Sequence, residues 1–302
     1  MGNYIKRIRR KIYKALHPAV GEVLMLHRVT ETRSVLEENR QLEVTPVFLE
    51  ETILKYKAEG YRFVSLDEVH EQMTLKKKQK GKFVCFTLDD GYRDNYELAY
   101  PVFKKHNCPF AIYVTTDFPD GKGLLWWYIL ENILLNEEKL TLSDGTTYHC
   151  KSLVEKNEVF RQIRDKVFSV QSDNMQETIQ DLLISYPFPL DAEHLMTLNW
   201  KQIQDLANEP LCTIASHTVS HPALTKLPDD RIRKELLESK AKLEEAIKVP
   251  VNHFAYPYGD YDDRVVALVR QSGYKTAALA NGGLVREGEK AIRLKRNTLT
   301  EK

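Results

Sequence analysis

Two adjacent carboxylates follow a strongly apolar run in the first third of the chain. The run Phe83–Leu88 is typical of a buried β-strand, and Asp89, Asp90 and Gly91 come directly after it. Adjacent side chains leave a strand end in different directions, so one carboxylate can bind a cation while its neighbour faces an attacking water, as metal-assisted hydrolysis requires. Gly91 permits a sharp turn beside them. Taken alone, Asp-Asp-Gly after a strand is also a common polar turn.

Two histidines at ligand spacing favour the metal interpretation. His217 and His221 stand four residues apart, directly after a second predicted strand, Cys212–Ser216. We expect a helical turn to bring both imidazoles to one face, where one carboxylate would complete a two-histidine, one-aspartate site with positions left for water and substrate. A single histidine after a strand is more often a hydrogen-bonded structural residue. The pair together with the paired acids predicts one divalent metal, zinc by preference, with cobalt, nickel or iron also suited to these ligands.

Strand-like runs alternate with helical stretches along most of the chain, and this pattern predicts how the polar residues are brought together. The strand-like runs are Glu22–Leu26, Arg62–Ser65, Phe83–Leu88, Phe110–Thr115, Cys212–Ser216, His253–Tyr256 and Lys275–Leu279. Clear helices are Pro46–Glu59, with Thr45 as N-cap, and Asp229–Lys248. The alternation predicts an α/β fold, a distorted (β/α)7-8 barrel whose chemistry lies at the carboxyl ends of the strands.

The alternation of strands and helices is interrupted between residues 119 and 198, where we predict a mostly helical insertion. It contains Trp126, Trp127 and a helical pattern over Phe160–Phe168. The insertion could form a lid or substrate wall, or pack on the flank of the barrel, and either tryptophan could stack on a sugar or fill a core. No repeat or low-complexity linker divides the chain, so residues 1–302 are predicted to form a single catalytic domain.

Composition and charge narrow the classes of partner. The chain has 302 residues, 44 Lys plus Arg against 43 Asp plus Glu, and a net charge of +1, so no chain-wide field attracts nucleic acid. Its four cysteines are scattered, as in a reduced cytoplasmic protein. No signal peptide or membrane span is predicted. Residues 1–20 predict a basic amphipathic helix, and residues 4–16 could contact anionic membrane at its inner face or pack on the domain.

The two motifs resemble those of the polysaccharide deacetylase family of carbohydrate esterases. The family's Thr-Phe-Asp-Asp-Gly is present as Thr87-Leu-Asp-Asp-Gly91, and its His-Ser/Thr-x-x-His as His217-Thr-Val-Ser-His221. The resemblance extends from Val23 to Asn297 except for the insertion. It implies a distorted barrel, a divalent metal held by Asp90, His217 and His221, and Asp89 as general base. The implied reaction removes the N-acetyl group from an N-acetylhexosamine in a glycan or glycan precursor, without an organic cofactor.

Two departures from the family pattern raise further expectations. In Phe254-Ala-Tyr-Pro-Tyr-Gly259, Ala255 replaces the arginine that normally supports the catalytic aspartate. Arg293 or Arg296 could supply that charge from the last strand, and the alternative is a solvated strand end. The resemblance also implies that the backbone N–H of Tyr258 helps to hold the oxyanion.

The family's late general-acid histidine is absent, since no histidine follows His253. His27, at the end of the first predicted strand, resembles the acid of a circularly permuted branch. An imidazole suits this role because its ordinary pKa is near neutrality, and the alternative is a structural histidine.

Other functions stay compatible with the same motifs. An O-acetyl esterase or another metal amidase could use the same centre, and an inactive sugar-binding barrel could keep the fold without the reaction. Retention of the predicted metal ligands and of both acid-base candidates favours an enzyme. The carbohydrate could be a polymer, a lipid-linked sugar or a nucleotide-linked sugar.

Overall fold

A computed structural model describes residues 17–74, 81–169, 175–186 and 196–302 of the chain. The strands are β1 (Ala19–Leu26), β2 (Arg28–Val29), β3 (Glu43–Val44), β4 (Arg62–Phe63), β5 (Phe83–Leu88), β6 (Phe110–Val114), β7 (Lys139–Thr141), β8 (Thr147–His149), β9 (Cys212–Ser216), β10 (His253–Ala255), β11 (Thr276–Ala278), β12 (Val285–Arg286) and β13 (Asn297–Thr298). The helices are α1 (Glu37–Arg40), α2 (Pro46–Ala58), α3 (Leu66–Thr74), α4 (Tyr100–Lys105), α5 (Trp126–Asn136), α6 (Leu153–Ser169), α7 (Met175–Leu182), α8 (Trp200–Ala207), α9 (Asp229–Ile247) and α10 (Asp263–Gln271). A π-helical turn, Asn95–Ala99, precedes α4.

The main sheet is a curved run of parallel strands in the order β11-β10-β9-β6-β5-β1. The short strand β4 pairs with the start of β5, and β12 runs antiparallel to the start of β1. Every residue of β5 is buried, because both faces of the sheet are covered, and this explains its unbroken apolar run. Each predicted strand is present: β5 and β9 have the predicted bounds, and the other five differ from them by one to three residues at one or both ends.

The segment from Leu294 to Leu299 bridges the two edges of the curved sheet. Leu294 donates its N–H to Ala277 O at 2.9 Å and accepts from Leu279 N–H at 2.8 Å, so this end of the segment is bonded to β11. Three residues later, β13 pairs in parallel with β1. One stretch of chain therefore joins the two edges of the sheet, and the predicted distorted barrel is confirmed.

Helices pack on the outer face of the barrel much as the sequence predicts. α2 begins at Pro46, and the Thr45 side chain accepts a hydrogen bond from Phe48 N–H at 3.2 Å, as expected of an N-cap. α9 ends at Ile247 where Lys248 adopts a left-handed φ of 59°. Apolar residues of both helices join the strands in the largest core cluster.

Several of the strand residues that point inward are small. Ala111, Ala215, Ala255 and Ala278 lie with Cys85 in a separate buried cluster on the opposite face of the strands from the outer helices. Small side chains from five neighbouring strands leave room inside the barrel for larger groups. Arg296 occupies part of that room.

The insertion is mostly helical, as predicted, and also contains a β-hairpin. Helices α5, α6 and α7 and the hairpin β7–β8 pack around their own buried cluster, which also takes in Leu36 and Tyr92 from outside the insertion. Its role and the single-domain division remain predictions.

The predicted amphipathic helix over residues 1–20, with its membrane contact through residues 4–16, falls largely outside the described residues. Ala19 and Val20 belong to β1, so for these two residues the helix prediction is wrong. Across the described parts of the chain, helices that combine the length and hydropathy of a membrane span are absent.

Candidate active site

Asp90, His217 and His221 converge at the carboxyl ends of β5 and β9. Asp90 Oδ1 lies 3.5 Å from His217 Nε2 and 3.3 Å from His221 Nε2, and the two Nε2 atoms are 3.2 Å apart. All three side chains are buried. Tetrahedral ligands at about 2.0–2.1 Å from a zinc ion lie about 3.3 Å from one another. The three observed separations are close to this value, so the donor set fits one divalent ion.

Hydrogen bonds and burial give these ligands the protonation states that a metal requires. His217 Nδ1–H donates to Ala255 O at 2.8 Å, which leaves the lone pair of Nε2 facing Asp90. Burial disfavours the charged form of Asp90, but the adjacent imidazoles of His217 and His221 outweigh it and hold the pKa of that carboxyl well below its usual value. Burial also lowers the pKa of His221, against the attraction of Asp90. An ionised carboxylate and neutral imidazoles are the forms that bind divalent metals.

The two histidines reach the site from an irregular loop, so the predicted helical turn is wrong. Thr218 and His221 have left-handed φ values of 70° and 57°. The buried carboxylate of Glu235, on α9, accepts hydrogen bonds from Val219 N–H at 2.8 Å and from Ser220 N–H at 3.0 Å. Contacts from a distant helix therefore fix the loop in place of the backbone bonds of a helical turn.

Glu235 is a structural support that the sequence motifs do not include. It accepts a third hydrogen bond, at 2.8 Å, from Ser220 Oγ. Its one sequence signal is its position, because Glu235 falls three residues after Ile232 on the apolar face of α9. A charged residue on a buried helix face needs a polar partner, which here is the histidine loop.

Asp89 is paired with Arg296 inside the barrel. Arg296 Nη1 and Nη2 donate to the two carboxylate oxygens of Asp89 at 2.6 and 2.7 Å, and Arg296 also donates to Thr87 Oγ1 and Leu279 O. Burial would raise the pKa of Asp89, but the adjacent guanidinium more than offsets burial and keeps that pKa below its usual value. The pair keeps Asp89 ionised and fixes the direction of its carboxylate.

Of the two arginines predicted to replace the missing one at Ala255, only Arg296 contacts Asp89. Arg293 lies on the surface, where it pairs with Asp263 and stacks on Tyr261. Arg296 has no exposed surface and fits beside Tyr113, with its guanidinium carbon 5.2 Å from the ring centroid. The small Ala255 side chain is one of those that leave this space open.

His27 lies on the same rim as the three candidate metal ligands. It directly follows β1, and its side chain is half-buried in the wall of a cavity of about 240 Å³ that Asp89, Asp90, His217 and His221 also line. Its Nδ1 atom is buried without a hydrogen-bond partner among the described residues. No hydrogen bond to a described residue therefore ties Nδ1 to a structural role, and the acid role of His27 stays a prediction.

Tyr258 and the insertion form the opposite wall of this cavity. Tyr258 has a φ of 57°, and its ring centroid lies 4.4 Å from that of His221. Trp126 donates its indole N–H to Tyr258 Oη at 3.2 Å, and the Trp127 ring lies 5.6 Å from His221 and lines the cavity. Trp126 therefore packs behind the wall, whereas Trp127 faces the site. Gly91, whose φ is 80°, makes the turn predicted beside the two aspartates.

Known proteins with similar sequences and folds include several deacetylases. The chain is 21% identical over 270 residues to the Bacillus subtilis (strain 168) protein YxkH, covering 89% of this chain and 68% of that protein. Its fold is similar to that of the Streptococcus pyogenes deacetylase PplD, solved with acetate, with a TM-score of 0.65, 20% identity and coverage of 94% and 93% of the two chains. IcaB from Ammonifex degensii has a similar fold too, with a TM-score of 0.60, 19% identity and coverage of 93% and 92%.

The match to a sequence-family model is more specific than these fold similarities. The model described as polysaccharide deacetylase matches residues 76–277, which include the Asp-Asp-Gly motif, the histidine pair and the insertion. The matched range is well over half of the chain. This protein belongs to the polysaccharide deacetylase family, whose enzymes remove acetyl groups from polysaccharides.

Proposed function

We propose that this protein is a metal-dependent hydrolase that removes the N-acetyl group from an N-acetylated amino sugar in a glycan or glycan precursor. The observation that supports it best is the convergence of a complete two-histidine, one-carboxylate donor set with an arginine-paired aspartate and a histidine in one cavity. Amide hydrolysis needs an electrophile, a base and an acid, and the cavity wall offers a candidate for each.

Asp90, His217 and His221 would hold the metal. Two imidazoles and one carboxylate suit zinc, and they also suit cobalt, nickel or iron. When bound, the ion would supply Lewis acidity toward the acetyl carbonyl and the attacking water. The hydrogen bond from His217 Nδ1–H to Ala255 O fixes the orientation of the His217 ring. His217 could not rotate away from the metal position without losing this buried hydrogen bond.

Asp89 would act as the general base. Its carboxylate is ionised through its pairing with Arg296, and it is next to a ligand residue, so it can accept a proton from water beside the metal position. Arg296 would stay protonated and hold Asp89 in one orientation. This arrangement replaces the support that Ala255 cannot give.

His27 would protonate the departing amine, and the Tyr258 backbone would stabilise the oxyanion. An amine leaves an amide only after it gains a proton, and His27 reaches the cavity from the opposite strand to the histidine pair. The left-handed backbone at Tyr258 is the conformation that sets the direction of its N–H. An acid histidine on the first strand agrees with the circularly permuted branch of the family, which remains part of this proposal.

The cavity wall favours a sugar next to the acetyl group. Trp127, Tyr256 and Tyr258 line it together with Met25, so aromatic and apolar surfaces face the space beside the metal position. Flat apolar rings are suited to stack on the CH faces of a pyranose. The substrate would thus be held by ring contacts while the amide lies against the polar residues.

Acetate release tests this function. The purified protein, loaded with zinc, would be incubated with N-acetylhexosamine as a polymer, as a lipid-linked sugar, as a nucleotide-linked sugar and as an O-acetylated sugar. We expect acetate from at least one N-acetyl substrate, loss of that activity with a chelator, and recovery when zinc is restored. Release from O-acetyl sugars alone would contradict the proposal and assign an esterase. No release from any substrate by zinc-loaded protein would support the inactive sugar-binding barrel.

A further inference from the structure

Arg28, which directly follows His27, is held from four sides. Its Nε donates to Asp94 Oδ2 at 2.6 Å, and its Nη1 donates to Glu43 at 3.2 Å. Its guanidinium carbon also lies 5.6 Å from the centroid of the Tyr92 ring and 5.0 Å from that of Tyr128. Two carboxylates and two aromatic rings leave the guanidinium little freedom to move.

The backbone on both sides of Arg28 is hydrogen-bonded to the side chains of Asp94 and Asn95. Asn95 donates its side-chain N–H to His27 O at 2.8 Å. Asp94 Oδ1 accepts from Val29 N–H at 3.2 Å and from Asn95 Nδ2 at 3.1 Å. Both Asp94 and Asn95 are buried. The residues Arg28, Asp94 and Asn95 thus form a polar cluster around the turn that carries His27, which we name the His27 clamp.

The clamp connects His27 to the residues that hold the metal and the base. Asp94 and Asn95 lie four and five residues after Asp90, where the chain passes from the turn after β5 into the π-helical turn that starts at Asn95. The acid candidate on β1 and the two aspartates after β5 are therefore joined by a few buried hydrogen bonds, and not only by the pairing of their strands. A catalytic group displaced by about 1 Å can cost roughly 10²-fold in rate.

We propose that Asp94 and Asn95 are positioning residues that hold His27 at the distance from the metal centre needed to protonate the leaving amine. This inference rests on the proposed function, because it assigns the two residues a part in the protonation step. Neither residue lines the cavity, so they act through His27 and do not touch the substrate.

The test compares two leaving groups in Asp94→Asn protein. Asparagine can still accept the Val29 N–H bond, but the substitution removes one of the two carboxylates that pair with Arg28. One substrate is the N-acetyl sugar, whose amine needs a proton to leave, and the other is para-nitrophenyl acetate, whose phenolate leaves without one. We expect amide kcat to fall roughly tenfold or more, and ester turnover to fall by less than about twofold, with metal content unchanged. Equal losses on both substrates would overturn the positioning role.

A double-mutant cycle with His27→Ala gives a second, independent reading. If Asp94 acts through His27, then Asp94→Asn in the His27→Ala background should change amide turnover by less than about twofold, because there is no acid left to position. Losses that multiply as they do for independent sites would overturn the clamp. Asp229→Asn is the matched control, since it removes the same charge from an exposed ion pair with Arg264 and should change neither substrate.

Two further variants keep the inference testable if Asp94→Asn does not fold. Arg28→Lys keeps one charge, but a single ammonium group cannot reproduce the bonds to both Asp94 and Glu43. Asn95→Ser replaces the side-chain amide that donates to His27 O with a shorter hydroxyl group, which weakens this hydrogen bond. Each should show the same selective loss on amide. Amide turnover by the unaltered protein is the separate check on the proposed function. If the unaltered protein releases no acetate, the proposed function is wrong; if it does so but the variants lose amide and ester turnover equally, only the positioning role is wrong.

Discussion

Asp89 and Asp90 are adjacent, yet they face different partners. Asp90 points to two imidazoles, and Asp89 points to a guanidinium inside the barrel. The left-handed φ of 74° at Asp90 turns the chain between them. Two chemically identical side chains can therefore take the different roles of metal ligand and base, because their neighbours differ.

Asp89→Asn separates these two roles. We expect the variant to bind its metal normally, since Asp90, His217 and His221 are unchanged, and to lose turnover by roughly 10²-fold or more because an amide cannot accept the proton of water. Metal content by elemental analysis and acetate release measure the two effects. Turnover within about twofold of the unaltered protein would remove Asp89 from the mechanism.

Arg296→Met should damage the site far more than Arg293→Met. Arg296 is fully buried, so its loss would leave an unpaired carboxylate at Asp89, at a cost of about 3–5 kcal/mol in the free energy of unfolding, together with most of the activity. Arg293 forms an exposed pair with Asp263, which contributes about 0–1 kcal/mol. Chemical denaturation and acetate release on both variants test this contrast, and similar losses in the two would contradict it.

At the scale of the elements, the histidine loop depends on a helix that supplies no catalytic group. Glu235 on α9 satisfies two backbone N–H groups and one hydroxyl of the loop. Left without a partner, each buried donor would cost about 1–3 kcal/mol. The irregular loop can keep its two left-handed residues because this carboxylate replaces the bonds that a helix would have made.

Glu235→Ala should weaken metal binding without removing a ligand. We expect a lower zinc affinity and a lower melting temperature, because the loop that carries His217 and His221 loses its anchor. Glu238→Ala is the matched control, as Glu238 lies exposed on the same helix. Isothermal titration with zinc measures the effect. Unchanged affinity in Glu235→Ala would show that the loop holds its shape without α9.

Across the whole molecule, the proposed metal would join elements that are distant in sequence. Asp90 follows β5 and the histidines follow β9, while Arg296 ties the barrel-closing segment to the same point. The insertion adds Trp127 to the cavity wall and buries Tyr92, which lies two residues after Asp90. The candidate site and the closure of the barrel therefore depend on some of the same contacts. We expect the thermal stability of the protein to depend on the bound metal.

Removal of the metal should lower the melting temperature. A ligand that binds only the folded protein stabilises it by about 2.7 kcal/mol when its concentration is one hundred times Kd. We therefore expect a lower melting temperature in chelator and recovery with added zinc, followed by differential scanning fluorimetry. His217→Ala should lose most of that zinc-dependent shift, since one of three ligands is gone. A full shift in His217→Ala would contradict the ligand assignment.

Local patterns in the sequence were enough to predict the strands, the main helices and most of the candidate metal site. Apolar runs ending in acids or histidines mark strand ends, and parallel strands bring their carboxyl ends to one rim of a barrel, so one of the two adjacent aspartates could be expected to meet His217 and His221. The choice of Asp90 as that aspartate came from the family resemblance. The Thr45-Pro46 pair likewise marks the start of α2, because capping depends on neighbouring residues alone.

Only the tertiary structure decided the long-range partners. Arg293 and Arg296 differ by three positions and look alike in sequence, but Arg296 is the one that points into the barrel, where small residues from five strands leave space for it. The loop of His217 and His221 is irregular because Glu235 bonds it, and the His27 clamp joins residues more than sixty positions apart. Such contacts are selected by packing and by the need to pair buried charges, which no local pattern encodes.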